Sequence, residues 1–142
     1  PVSLLCLGDT SIYASSFYLK DEIKKSYPDI KITTIPGISS LSLAAALGDF
    51  QLIKKGENLN IIECPDDKDQ FLNLINKQSK TVLAVMKVGK RWEWVKDVLD
   101  EKKILRKTIL AANLGMENQY VGAASEYLSE ELPYFSLLLL RT

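Results

Sequence analysis

The sequence contains no histidine. That removes the usual general base and the commonest transition-metal ligand, and with them any Ser/His/Asp arrangement. Cysteine is scarce as well. Cys6 and Cys64 are the only two, far apart in apolar strand-like runs. This argues against a disulfide scaffold or a zinc site and fits a reducing cytoplasm. An excess of one charge is also missing. Lys+Arg and Asp+Glu both number 18, for a formal net charge of zero, so no basic field is available to hold nucleic acid. No apolar run is long enough to span a membrane, and the leucines at 137–140 end at Arg141 as a short buried strand does. No signal peptide is recognisable. Neither Gly-x-x-x-x-Gly-Lys-Ser/Thr nor Gly-x-Gly-x-x-Gly occurs, which argues against a phosphate loop and a standard dinucleotide site.

What is present is a packable chain. Hydrophobic residues make up 46% of 142, enough for a core and for about one domain by length. The chain opens on Pro1 and runs at once into an apolar segment, so an upstream part is expected. Apolar runs at 2–7, 30–35, 59–64, 81–88, 105–113 and 135–140 read as strands. Between them, 15–27, 41–47, 68–77 and 91–101 carry helical periodicity, and 119–128 reads as a loop or short helix. Helix 15–27 would bury Phe17, Leu19 and Ile23; helix 91–101 would bury Trp92, Val95, Val98 and Leu99. Helix 41–47, rich in alanine and leucine, reads as buried on several sides and stops at Gly48. Alternation of strands and helices specifies an α/β fold with a mixed sheet.

Chemistry in such sheets gathers at strand ends. The first run, read as a buried strand, stops at Gly8 and delivers the Asp9 carboxylate; the same residues also read as a turn with an N-cap. Ser39 and Ser40 follow Pro36-Gly37-Ile38, where they read as a helix cap or a ligand contact. Met86-Lys87 and Asn113-Leu114-Gly115 end two later strands. Asp66, Asp67 and Asp69 flank a helix start and complement its dipole rather than forming a metal site.

Four of these stretches occur in a familiar order. They are Gly8-Asp9-Thr10-Ser11-Ile12-Tyr13, Ile35-Pro36-Gly37-Ile38-Ser39-Ser40 with Ala44-Ala45-Ala46, Val85-Met86-Lys87-Val88-Gly89, and the closing Pro133-Tyr134-Phe135-Ser136-Leu137-Leu138-Leu139. The sequence resembles the tetrapyrrole methylases over nearly its whole length. Its closing segment and Phe17-Tyr18-Leu19 are most similar to the branch that methylates precorrin-2 at C20 in cobalamin biosynthesis. The resemblance implies S-adenosylmethionine as methyl donor, S-adenosylhomocysteine as product, a reduced tetrapyrrole as substrate and a homodimer. It implies that residues 1–35 end an N-terminal domain, as its last strand-helix-strand, and that 36–142 form the C-terminal methylase domain. Residue by residue, Leu7, Gly8 and Asp9 match the first cofactor-binding stretch and Ile12 a neighbouring backbone contact. Ser39, Ser40 and Met86 match later contacts, and Asn113 with Leu114 the last. Tyr13 and Lys87 are candidates for substrate binding; Lys87, Lys90 and Arg91 would suit its carboxylates, or simply form a solvated helix start. Two departures stand out: the family's N-terminal glycine-rich segment has no counterpart, and Thr10 replaces a usual proline. A sibling methylase, a non-catalytic dimerisation or donor-binding module, and an unrelated nucleotide-binding domain remain alternatives.

Overall fold

A computed structural model describes residues 2–142. The chain divides into two compact units, the first running to Ser40 and the second spanning Leu41–Thr142.

The first unit holds one helix, α1 (Ser16–Ser26), flanked by extended chain. Lys24 and Lys25 in its last turn complement the helix dipole. Residues 2–7 and 30–35, expected as strands, form no ladder, and neither run is buried: Val2 and Leu5 of the first are exposed at 101% and 93%, and Ile35 of the second at 80%. The reason is physical. A strand owes its stability to cross-strand partners, and periodicity in one segment does not supply them. Helix α1 likewise buries none of its residues, and Phe17 and Leu19 lie exposed. Lys20 reaches across it, donating to Thr34 Oγ1 at 3.2 Å and lying over the Phe17 ring.

The second unit is a five-stranded mixed sheet with helices. Its strands are β1 (Asn58–Glu63), β2 (Thr81–Met86), β3 (Ile109–Ala112), β4 (Tyr120–Ala123) and β5 (Ser136–Arg141), in the order β1-β2-β5-β3-β4. Pairing is parallel for β1 with β2 and antiparallel for the rest. Its helices are α2 (Ser40–Leu47), which starts at the unit boundary, α3 (Lys68–Lys77) and α4 (Trp92–Glu101).

The sheet is apolar on both faces, which is why β2 and β5 read as unbroken apolar runs. Leu83, Val85, Leu110, Leu138 and Leu140 point to a core shared with Phe71 and Ile75 of α3 and Trp92, Val95, Val98 and Leu99 of α4. Phe71 meets Trp94 edge-on at 5.8 Å. The alternate residues Val82, Ala84, Ala111, Leu137 and Leu139 are buried too. On that side Gly48 lies against Ile109 and Val121, and an added Cβ would sit 3.0 Å from Ile109 Cγ2 and from the Ala44 carbonyl.

Helix α3 takes the expected bounds. Asp67 caps it by accepting from the Gln70 amide at 2.9 Å, and Asp69 lies in the first turn. Four readings need correction. The 59–64 strand is only half-buried, because β1 is a sheet edge. Helix α2 buries one side, Leu41, Ala44 and Ala45, while Leu47 is exposed. The first residues of two expected elements instead form 3-10 turns, Gly89–Arg91 before α4 and Leu105–Lys107 before β3. Residues 119–128 contain an edge strand, β4, followed by a 3-10 turn at Ala124–Glu126, because Tyr120–Ala123 finds ladder partners in β3.

Candidate functional site

In the first unit the Gly8–Tyr13 loop is built around one oxygen. Asp9 Oδ1 accepts from the Ser11 amide at 2.6 Å, from the Ser11 hydroxyl, and from the Ile12 amide at 3.2 Å. The turn-with-cap reading of Asp9 therefore describes its local geometry. The Ser11 hydroxyl and amide hold the Asp9 carboxyl below its ordinary value, so it stays ionised at neutral pH. No hydrogen bond from the described residues reaches Oδ2. The expectation that a buried strand delivers this carboxylate is corrected: the approach is extended and exposed, with Leu7 at 66%.

Gly8 has φ +74°, a left-handed conformation suited to glycine. The second motif passes directly against it. A Cβ at residue 37 would lie 2.2 Å from the Gly8 carbonyl oxygen, and a Cβ at residue 8 would lie 3.5 Å from the Ile38 carbonyl. Only glycine at 37 permits that approach. Two stretches far apart in sequence thus meet through backbone, with Asp9 on one side and Ser39 and Ser40 following on the other. Both serines are half-buried, and Ser40 is the first residue of α2. Ile12 is half-buried; Tyr13 is exposed, with φ +52°.

In the second unit one edge of the sheet collects the remaining candidates. Strands β1, β2 and β3 all end there, and β5 begins there: Met86 is paired with Leu137, and Ala112 with Ser136. Met86 is half-buried, and its carbonyl accepts from the Cys64 amide at 2.8 Å. Lys87 and Asn113, the residues just past β2 and β3, have φ +55° and +50°. Left-handed residues turn the chain sharply at these ends. Leu114 is half-buried beside Asn113, and the Gly115 amide donates to Gln119 Oε1 at 2.8 Å, closing that turn.

Two of the three cations expected to meet substrate carboxylates, Lys87 and Arg91, already face carboxylates of this chain. Lys87 pairs with Glu63 at 3.2 Å. Arg91 Nε donates to Asp66 at 2.8 Å, and Arg91 Nη1 donates to the Lys87 carbonyl at 3.1 Å. Asp66 is thus an ion-pair partner of Arg91. Among the described residues no group of three or more His, Cys, Asp or Glu could hold a metal ion. No helix of the described residues is long and apolar enough to cross a membrane. Sequence reasoning passed over Ser136, a buried polar residue whose hydroxyl accepts from the Gly89 amide at 3.2 Å and ties the β2 turn to β5. A serine opening a leucine run was the only local signal.

The model of the family Tetrapyrrole (Corrin/Porphyrin) Methylases matches residues 1–127. A precorrin-2 C(20)-methyltransferase from a Sinorhizobium species is 27% identical over 139 residues, 97% of this chain and 54% of that protein. The chain therefore spans about half the length of the curated relative it matches. Among solved structures, the cobalt precorrin-4 methyltransferase CbiF superposes with a TM-score of 0.68 at 12% identity, over 94% of this chain and 61% of the other. The methyltransferase CobJ gives 0.62 at 17% identity, over 95% and 62%. The Thermus thermophilus uroporphyrin-III C-methyltransferase complexed with S-adenyl homocysteine gives 0.57 at 15% identity, over 94% and 60%. At these identities the structures share the fold. With the family's model matched over most of its length, the chain belongs to the tetrapyrrole methylases.

Proposed function

We propose that this protein transfers a methyl group from S-adenosylmethionine to a carbon of a reduced tetrapyrrole in cobalamin biosynthesis, with precorrin-2 as substrate and C20 as the position. The observation that carries the reading is the family match over residues 1–127, which takes in the Gly8-Asp9 loop, the Gly37–Ser40 segment and the Met86–Gly89 turn together. The choice of precorrin-2 rests on the Sinorhizobium relative at 27% identity.

The residues present fit such a donor. Glycines at 8 and 37 let the two motifs meet backbone to backbone, which sets Asp9 and the Ser39-Ser40 pair on either side of that contact. Asp9 is ionised and offers Oδ2, which suits a ligand carrying sulfonium and ammonium groups through charge-assisted hydrogen bonds. In this reading Leu7, Gly8, Asp9, Ile12, Ser39, Ser40, Met86, Asn113 and Leu114 hold the donor, and Tyr13 and Lys87 face the substrate. When bound, S-adenosylmethionine supplies an electrophilic methyl group. In-line displacement draws mainly on approach and orientation, so a chain without histidine is adequate to it. The same reading includes a homodimer in the cytoplasm, the first part of which sedimentation equilibrium measures directly.

Calorimetric titration of the intact protein with S-adenosylmethionine tests the proposal. Asp9→Ala, which removes both the charge and the loop's acceptor, abolishes binding. Asp9→Asn keeps an Oδ1 acceptor and loses the charge, so affinity falls about tenfold. Unchanged affinity in Asp9→Ala refutes the role of Asp9. A wild-type protein that dimerises without binding the donor is a non-catalytic module instead.

A further inference from the structure

The contacts expected at Met86 and at Asn113-Leu114 belong to β2 and β3, and these strands are not neighbours. Strand β5 lies between them. A ligand that touches both strand ends must cross the start of β5, and the two residues immediately before that strand are Tyr134 and Phe135. We propose that these two rings seat the purine end of the methyl donor, completing a strip that runs from Met86 across Phe135 to Asn113. The inference rests on the methyl-donor reading above, which assigns no role to either ring.

Three observations support it. The rings are open: Tyr134 is exposed at 69% and Phe135 at 52%, while Ser136 and the leucines that follow are buried. Edge-on packing of one ring on the other, with centroids 5.2 Å apart, makes a single apolar projection rather than two independent side chains. The backbone beneath them is fixed on both sides. The Phe135 carbonyl accepts from the Asn113 amide at 2.9 Å, the Ser136 amide donates to the Tyr134 carbonyl at 3.0 Å, and the Ser136 hydroxyl accepts from the Gly89 amide at 3.2 Å. A rim held this way is preorganised for a flat partner. The donor's purine is a continuous aromatic plane. A reduced tetrapyrrole is interrupted by saturated carbons and offers aromatic faces less to stack on.

The test titrates the intact protein and its Tyr134→Ala, Phe135→Ala and Tyr134→Phe variants with S-adenosylhomocysteine and, separately, with adenosine. The exposed positions leave the fold intact, which circular dichroism checks. In the Phe135→Ala and Tyr134→Ala variants the affinity for both probes falls about tenfold, and by the same factor, since the lost contact is to the shared purine. Tyr134→Phe retains wild-type affinity. Unchanged affinity for both probes in both alanine variants overturns the assignment. So does an unchanged affinity accompanied by a raised KM for the tetrapyrrole, which would give the rings to the substrate. If the wild-type protein itself binds neither probe, the methyl-donor reading fails and this inference falls with it.

Discussion

Gly37 and Gly8 approach so closely that a methyl group on the first would stand 2.2 Å from the carbonyl oxygen of the second. Backbone, not a flexible side-chain tip, is what it would strike, so the segment must move. Gly37→Ala is therefore expected to separate the Gly8-Asp9 loop from Ser39 and Ser40 and to lower donor affinity by at least about tenfold, a loss of roughly 1.4 kcal/mol. Gly56 supplies the control. It has φ +84° but open space around its missing Cβ, so Gly56→Ala costs only the conformational strain of about 1 kcal/mol and leaves donor binding unchanged. Calorimetry on the two variants separates the cases; equal donor affinity in both would remove the close approach from any role in the site.

Some of this could be read from the residues and some could not. The bounds of α3 were legible because Asp67 announces a cap and Phe71 and Ile75 repeat at helical spacing. Strands β2 and β5 were legible because central strands buried on both faces leave nothing polar between Thr81 and Lys87 or between Ser136 and Arg141. Strand β4 was not: Tyr120-Val121-Gly122-Ala123 is short, holds a glycine and lies at an edge, so its own pattern is weak until β3 pairs with it. The error at 2–7 and 30–35 runs the other way. Those segments carry strand-like residues but lack a ladder within this chain. At the candidate site, Met86 and Asn113 were visible as strand ends. The contact of Gly37 with Gly8 and the bond from Gly89 to Ser136 span sequence distances that no local pattern encodes.

Glu57 and Arg141 make the ion pair whose loss acid should reveal. Arg141 Nε donates to Glu57 Oε1 at 2.6 Å, and its Nη2 to Oε2 at 3.0 Å, while the guanidinium also lies over the Phe50 ring at 4.7 Å. The Arg141 hydrogen bonds, with one from the Lys54 amide, lower the Glu57 carboxyl below its ordinary value. A depressed folded-state value adds stability that is fully present above the unfolded value of about 4.3, and is lost as pH falls through the folded one. Glu57→Gln is thus less stable than wild type at pH near 7, and the gap closes below about pH 4. Urea denaturation at several pH values measures it; a gap that persists unchanged into acid would assign the difference to packing rather than to charge.

The two thiols should differ in reactivity. Cys64 is buried at the end of β1, with 2% exposure, and burial pushes its thiol up to about 11. Only the thiolate attacks disulfide reagents, and at pH 8 that leaves about one part in a thousand ionised. Cys6 lies half-buried in the extended approach to Gly8. A native protein treated with an aromatic disulfide at pH 8 should release one equivalent of chromophore quickly, and a second only after denaturation. Fast release of both would show that the β1 end opens to solvent.

Phe71 joins α3 to the sheet and to α4, and its ring is fully buried, edge-on to Trp94. Truncating it opens a cavity between a helix and the face formed by Leu83, Val85 and Leu138. Lost transfer energy and incomplete collapse together give about 3–5 kcal/mol for Phe71→Ala, against a total stability of about 5–15 kcal/mol. Phe71→Leu retains most of the volume and should cost about half as much. Leu5→Ala is the counterpart at an exposed site and should change stability by no more than about 0.5 kcal/mol. Denaturant midpoints for the three variants rank them. If Leu5→Ala proved as damaging as Phe71→Ala, the exposed run at 2–7 would be packed against something in solution, and its lack of a ladder would need another explanation.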